Sequence, residues 1–98
     1  MRIIWSPLAE SRAVEAFEYI ARNRPSAAEH WLDRLLDQVG SLASMPDRGR
    51  AVPELHRPDV RELVVGPYRL IYRRDPQRVV ILTIRHERRQ FDPEEVGE

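Results

Sequence analysis

The hydrophobic residues of this chain change their spacing halfway along the sequence. Up to residue 42 they recur every three or four positions, as in Ala16, Phe17 and Ile20, which is the period of an amphipathic helix. From residue 60 onwards apolar and polar residues alternate, which is the period of a strand. Neither part can bury its apolar side alone, so the pattern predicts helices packed on a sheet.

Two helices are expected in the first part of the chain. Ser6, followed by a proline, marks the start of the first one, because Ser is a common N-cap and Pro is favoured in the first turn. This helix should end near Asn23. Ser26 and Glu29 have the spacing of a capping box for the second helix, which should stop at Pro46. Since the connection is short, the two helices are expected to form an antiparallel hairpin.

Strands are expected at the amino terminus and throughout the second half of the chain. Residues 2–5 are β-branched and aromatic. Further candidates follow, separated by connections of hairpin length: residues 60–65, 68–74 and 79–86. The predicted fold is a single α+β domain over residues 1–98, in the order β-α-α-β-β-β. Its sheet is expected to be antiparallel, with the helical hairpin on one face, and residues 90–98 are expected to form a flexible acidic tail.

Strict alternation divides the strand residues between two faces of this sheet. The more aromatic face, which includes Leu70, Tyr72 and Thr83, should lie under the helices. The second face should carry the following residues: Val60, Glu62, Val64, Arg69, Ile71, Arg73, Val80, Leu82, Ile84 and His86. This face is too apolar for a solvated surface, and two helices cannot cover both faces. It is expected to form a groove for a partner, to dimerise, or to be covered by the chain's own tail.

The composition limits the chemistry that the chain can perform. All 16 basic residues are Arg, they balance 16 acidic residues, and the chain has neither Lys nor Cys. Arg does not titrate in proteins, so only His, Asp, Glu and Tyr can transfer protons. The three His are scattered, so neither a metal nor a cofactor is expected. The chain has no signal-peptide pattern and no apolar run near about 18 residues, which indicates a cytoplasmic protein without membrane contact.

The basic residues around the last two strands are candidates for binding a phosphate-rich target. They are Arg69, Arg73, Arg85, Arg88 and Arg89. No aromatic residues interleave them along the sequence, so the pattern for single-strand binding is weak. A solvated rim, balanced by the acidic tail, explains the same residues.

Three residues of the predicted second face could carry out acid–base chemistry. His86 and Glu62 could move protons while Arg69 holds a phosphate, which is the set that a metal-free ribonuclease needs. The alternative is structural: His86 would bond to Glu87 or to the backbone at the strand end, and Glu62 would pair with a neighbouring Arg.

Short motifs of the chain resemble toxins of the RelE/ParE superfamily from bacterial type II toxin–antitoxin modules. The matching motifs are WSPLA at 5–9, REL at 61–63, GPYRLIY at 66–72, VILTI at 80–84 and HERR at 86–89. The resemblance implies a growth-inhibiting toxin that a cognate antitoxin from the same operon neutralises, and operator DNA would be reached only through that antitoxin. The antitoxin would contact the uncovered sheet face at the following residues: Val64, Ile71, Val80, Leu82 and Ile84.

The superfamily contains two mechanisms, which the resemblance leaves as alternatives. One branch cuts messenger RNA on the ribosome, and the other poisons DNA gyrase without catalysis. Arg69 matches the arginine of the superfamily's Tyr-Arg motif. The basic ribonucleases have lysines on the preceding strand, where this chain has Val60 and Glu62. They also often have a Tyr near the carboxyl terminus, which is missing here near Phe91. These departures favour the ParE-like branch. The alternatives are a ribosome-dependent endoribonuclease that uses Arg69, His86 and Glu62, and an inactive remnant or binding module.

Overall fold

Two helices and a five-stranded sheet make up the fold. A computed structural model describes residues 1–97, so Glu98, the last residue of the expected tail, lies outside the described residues. The elements are β1 (Arg2–Trp5), α1 (Pro7–Ala21), α2 (Pro25–Ser41), β2 (Arg50–Ala51), β3 (Val60–Val65), β4 (Tyr68–Arg74), β5 (Arg78–His86) and a short 3₁₀ helix (Pro93–Glu95). The predicted α+β order is confirmed, and the two-residue strand β2 and the 3₁₀ helix are additions to it.

Both helices begin at a proline, but only the first uses the expected cap. The Ser6 hydroxyl accepts a hydrogen bond from the Ala9 N–H at 3.0 Å and donates to the Leu82 carbonyl at 2.9 Å, which ties the start of α1 to β5. α2 begins at Pro25 with Arg24 as its N-cap. The predicted capping box at Ser26 was wrong, because the preceding proline already adopts the helical φ and starts the helix earlier.

The sheet is mixed, with the order β1-β5-β4-β3-β2. Strands β2 to β5 pair antiparallel, and Gly66, at φ +60°, makes the tight turn between β3 and β4. β1 lies at the edge and runs parallel to β5. The expectation of a purely antiparallel sheet was wrong at this strand. The direction of β1 relative to β5 depends on the path of the chain through the helices between them. The alternation of residues within a strand contains no information about that path.

A β-bulge interrupts the alternation of β5. Tyr72 pairs with Ile81 and Ile71 pairs with Thr83, so Leu82 is an extra residue without a partner on β4. A bulge places two successive side chains on one side of the strand, and the residues beyond it then change faces.

The bulge moves three residues to the face opposite the predicted one. Thr83 lies on the second face, where its hydroxyl donates to Glu95 Oε1 at 2.9 Å. Ile84 is buried among the residues under the helices. His86 packs against Tyr68, which belongs to the same helix-covered cluster, at 5.2 Å between ring centroids. The face predictions for Thr83, Ile84 and His86 were therefore wrong.

The main core lies between the helical hairpin and the sheet. Trp31 of α2 packs against Tyr68 of β4 and donates its indole N–H to the Val65 carbonyl at 3.1 Å. The other fully or nearly fully buried members include Ala9, Leu35, Leu42, Leu70, Tyr72, Val79 and Ile81. The apolar stripes predicted for both helices are therefore the stripes that cover this face.

The second face of the sheet is covered by irregular segments of the same chain. Its buried cluster consists of Val52, Val60, Ile71, Leu82 and Val96, with Leu55, Val80 and Phe91 partly buried beside it. Residues 52–55 and 91–96 therefore occupy the face that the sequence left open. Within the segment expected to be a flexible tail, Val96 is only 3% exposed. Among the described residues, no helix has both the length and the apolar character needed to cross a membrane.

Candidate functional site

Arg69 and Glu62 face each other across β3 and β4 on the second face. Arg69 Nε donates to Glu62 Oε1 at 2.7 Å, and the two terminal nitrogens of Arg69 bind the Glu54 carboxylate at 2.8 and 2.9 Å. The Glu62 side chain is completely buried, and the Arg69 side chain is 11% exposed. Arg69 is therefore held between two carboxylates of the same chain, and each of its three nitrogens already donates to one of them.

A second arginine completes the pairing of Glu62. Arg50 of β2 donates from Nε to Glu62 Oε2 at 2.6 Å. β2 can approach β3 this closely because residue 49 is glycine: a Cβ at Gly49 would lie 2.6 Å from the Glu62 carbonyl oxygen and 2.7 Å from the Tyr72 hydroxyl. The buried carboxylate is thus matched on both oxygens, as a buried charge requires.

These hydrogen bonds fix the charges of the cluster. The Arg69 guanidinium holds the pKa of the Glu54 carboxyl below its ordinary value of 4.5. In return, the hydrogen bond to Glu54 raises the pKa of Arg69, and Glu62 adds to that effect. Glu54 is therefore ionised and Arg69 is charged at neutral pH, so these two side chains form an ion pair.

The outer side of Arg69 is covered by the carboxyl-terminal segment. The Arg69 guanidinium carbon lies 5.5 Å from the centroid of the Phe91 ring, which is a cation–π distance. Around this contact is an open cleft of about 620 Å³, whose walls include Glu54, Arg88 and Pro93. A ligand in this cleft meets Arg69, whose charge is already balanced, and the exposed side chains of Arg88 and Arg89.

His86 lies on the opposite side of the sheet from this cluster. Its ring packs edge-on against Tyr68, and its Nδ1 accepts the Arg88 N–H at 3.1 Å. The structure thus brings Glu62 and Arg69 together and places His86 apart from both. A single phosphate cannot contact all three residues in this arrangement.

The other candidate arginines do not converge on one point. Arg85 donates to the Gln90 carbonyl at 2.6 Å and pairs with Glu95 at 3.0 Å. Arg73 is half-buried on the second face, beside Val80. Arg88 and Arg89 are exposed in the turn after β5, and no ion pair within residues 1–97 includes either of them.

The residues expected to contact a partner differ in accessibility. Val64 is 53% exposed and Val80 is half-buried. Ile71 and Leu82 are buried under the irregular segments, and Ile84 is buried under the helices. Within residues 1–97, no group of three His, Asp or Glu side chains is arranged so that it could hold a metal ion.

Sequence reasoning missed two features of this region. Glu54 was not a candidate, because its irregular segment has no periodicity from which a contact with Arg69 could be inferred. Tyr19 was not a candidate either. It lies outside the apolar stripe of α1, and a residue at such a position is expected to be exposed to solvent. Tyr19 is 62% exposed and lines a second cleft together with His86 and Arg88.

Comparisons with known proteins agree with this architecture. Residues 3–91 match the family model described as the ParE toxin of the type II toxin–antitoxin system parDE. A protein named Toxin RelE2 from Caulobacter vibrioides is 38% identical over 86 residues, which are 87% of this chain and 91% of that protein. A solved structure titled "Chromosomal ParDE TA system from P. aeruginosa" superposes with a TM-score of 0.72 at 21% identity, covering 88% of this chain and 95% of that one.

Proposed function

The chain belongs to the ParE toxin family of type II toxin–antitoxin systems, and from this premise we propose that it inhibits growth by binding DNA gyrase, without a catalytic step of its own. It is the toxin of such a module, and a cognate antitoxin is its partner. The proposed site of action is the cytoplasm, where gyrase and its DNA are found.

The separation of His86 from Arg69 and Glu62 is the observation that carries this proposal. A metal-free ribonuclease needs an acid, a base and a cation around one phosphate. Here the Glu62 carboxylate is bonded to two arginines, Arg69 is bonded to two carboxylates, and His86 lies across the sheet. An arrangement of this kind supports binding to a target rather than cleavage of it.

For the antitoxin, the proposed contacts start at the exposed part of the second face. Val64 and Val80 are accessible in the structure as it stands. Ile71 and Leu82 become accessible only when the irregular segments that cover them, residues 52–55 and 91–96, move away from the sheet. An antitoxin segment that binds all four residues would therefore replace the chain's own irregular segments on this face.

The test is a DNA supercoiling assay with the purified full chain. We expect gyrase to lose supercoiling activity when the toxin is added, and to regain it when the antitoxin is added first. Total messenger RNA from cells that express the toxin should show no new ends by primer extension. Growth arrest with normal supercoiling and cut messages would contradict the proposal.

The relative named Toxin RelE2 favours a second candidate, a ribosome-dependent messenger RNA endoribonuclease. In that case Arg69→Ala should abolish the cuts seen by primer extension on translated messages. The same variant should lose little gyrase inhibition if gyrase is the target, provided that circular dichroism shows it to be folded. The two readouts therefore separate the two candidates.

A further inference from the structure

A second cleft opens on the helix side of the sheet, between the carboxyl-terminal part of α1 and the turn after β5. Its volume is about 440 Å³. Five arginines and one glutamate line it, so its walls carry an excess of four positive charges. This cleft contains neither Arg69 nor Glu62, but Arg88 and Arg89 line both clefts.

Only some of these arginines are neutralised within the chain. Arg12 and Arg85 both bind the Glu95 carboxylate, at 2.5 and 3.0 Å. Arg22, Arg88 and Arg89 are exposed, and none of the ion pairs in the described part of the chain includes them. The mouth of the cleft therefore has positive charge that a bound anion would balance.

Aromatic rings form the rest of the wall. Tyr68 is nearly buried and packs against His86, whereas Tyr19 is 62% exposed. Burial raises the pKa of the Tyr68 phenol, with Tyr19 adding to the rise and the charge of Arg89 opposing it. The Tyr19 ring thus offers an exposed flat surface in the cleft that Arg22, Arg88 and Arg89 also line.

His86 adds a hydrogen-bond donor to this wall. Its Nδ1 accepts the backbone N–H of Arg88, so the proton of the neutral ring is on Nε2. A neutral His86 can therefore donate one hydrogen bond to an acceptor on a ligand in the cleft.

We propose that this cleft binds a short single strand of nucleic acid, with its phosphates on Arg88 and Arg89 and a base stacked against Tyr19. Unpaired arginines beside an exposed aromatic ring are the combination that single-strand binding proteins use. An acidic peptide would satisfy the arginines but leaves no role for the exposed ring. Nucleotides of DNA and of RNA share the required chemistry, and the inference goes beyond contact with gyrase and does not depend on it.

Fluorescence polarisation with labelled strands of about ten nucleotides tests the proposal, since sites of this kind span about 4–16 nucleotides. Oligo(dT) and oligo(U) are titrated separately with the full chain, free of antitoxin. We expect at least one of them to bind with a dissociation constant of about 1–100 μM, and the tighter strand identifies the preferred nucleic acid. Absence of binding by both strands in this range overturns the proposal.

The arginines are tested by their effect on affinity and on salt dependence. The double variant Arg88→Ala/Arg89→Ala should weaken binding about tenfold and reduce the slope of log K against log salt by about 0.7 for each phosphate that is no longer neutralised. Arg34→Ala is the matched control, because Arg34 is exposed on α2 and lines neither cleft. An equal loss in Arg34→Ala would mean a general charge effect and would overturn the assignment.

Tyr19 separates a nucleic-acid site from a site for any polyanion. Tyr19→Ala should weaken binding about tenfold because the base no longer stacks on a ring, whereas Tyr19→Phe keeps the ring and should bind as the wild type does. If Tyr19→Ala binds normally, or if an aspartate-rich peptide of equal charge binds more tightly than either strand, the nucleic-acid assignment is wrong. All variants alter exposed side chains and should retain the wild-type circular dichroism spectrum.

Discussion

The two faces of the sheet are both buried, but by different means. The helix-covered face lies under 32 residues of regular helix and contains 13 of the buried core residues in one cluster. The second face lies under short irregular segments, and its cluster has five buried hydrophobic residues, next to the ion pairs of Glu62 and Glu95. One cover is built of continuous apolar packing, and the other combines a small apolar cluster with charged contacts.

This difference indicates that the two covers have different strengths. Apolar burial over two helices is cooperative, because each side chain touches many others. Residues 91–96 attach to the sheet through few apolar contacts and one carboxylate, so they are expected to open locally at a lower free energy than the helices. We therefore expect a partner to bind the second face without unfolding the domain.

The largest expected effect is the contrast between Leu70→Ala and Leu82→Ala. Leu70 is fully buried under the helices, and its truncation should lower the free energy of unfolding by about 2–5 kcal/mol. Leu82 lies under the irregular segments, which can move into the cavity that the Leu82→Ala substitution leaves. The free energy of unfolding should therefore fall by an amount near the lower end of that range. Urea denaturation of both variants measures the contrast. Equal losses would show that the two covers form one cooperative core.

The next effect tests the charged part of the second face. Glu62→Gln leaves Arg50 and Arg69 with one neutral acceptor between them and should cost about 3 kcal/mol, because one partner of a buried pair is removed. Glu54→Gln is the control, since its side chain is 41% exposed and an exposed pair contributes about 1 kcal/mol or less. Chemical denaturation should rank the two variants in this order. The reverse ranking would mean that Glu54, and not the buried Glu62, holds Arg69 in place.

A smaller effect is expected for Val96→Ala, which loosens the carboxyl-terminal segment. The variant should lose about 1 kcal/mol of stability, in line with the apolar surface that it no longer buries. Hydrogen exchange should become faster in residues 91–96 and remain unchanged in α1 and α2. Faster exchange in the helices as well would show that the segment is part of the main cooperative unit.

The smallest expected effect is a pH dependence that comes from Glu54. The Arg69 guanidinium holds the pKa of Glu54 below 4.5 in the folded chain, so this carboxylate contributes stability above pH 4.5. The contribution is lost as the pH falls from 4.5 through the lower folded value, and solvent exposure limits it to less than about 1 kcal/mol. Stability measured between neutral and acidic pH should fall less steeply in Glu54→Gln. Identical pH profiles would contradict the role of Arg69 in shifting this carboxyl.

The predicted parts of the fold are those that depend on local patterns. The bounds of β3 and β4 matched the alternation, and Ser6 caps α1 as its position before a proline indicated. The bulge at Leu82 was not predictable from the sequence. It depends on how β5 pairs with β4 and on the hydrogen bond that the Ser6 hydroxyl donates to the Leu82 carbonyl. That single irregularity moved His86 to the other face and separated the expected acid–base residues.

The clefts illustrate the same limit for the candidate sites. Arg69 and Glu62 face the same side of neighbouring strands, so alternation could bring them together. Tyr19 and His86 are 67 positions apart, on a helix and at a strand end, and only the packing of α1 on β5 joins them in one cleft. A cleft of this kind has no signature within any short stretch of the sequence.

The parallel pairing of β1 with β5 has a consequence for the order of synthesis. β1 is translated before the other strands of the sheet, but its hydrogen-bonding partner is the last of them, and Ser6 at the start of α1 also donates to the carbonyls of Ile81 and Leu82. β1 therefore stays unpaired until β5 has been translated, and closing so long a loop slows folding. The sheet of this toxin is thus incomplete until its last strand has been made.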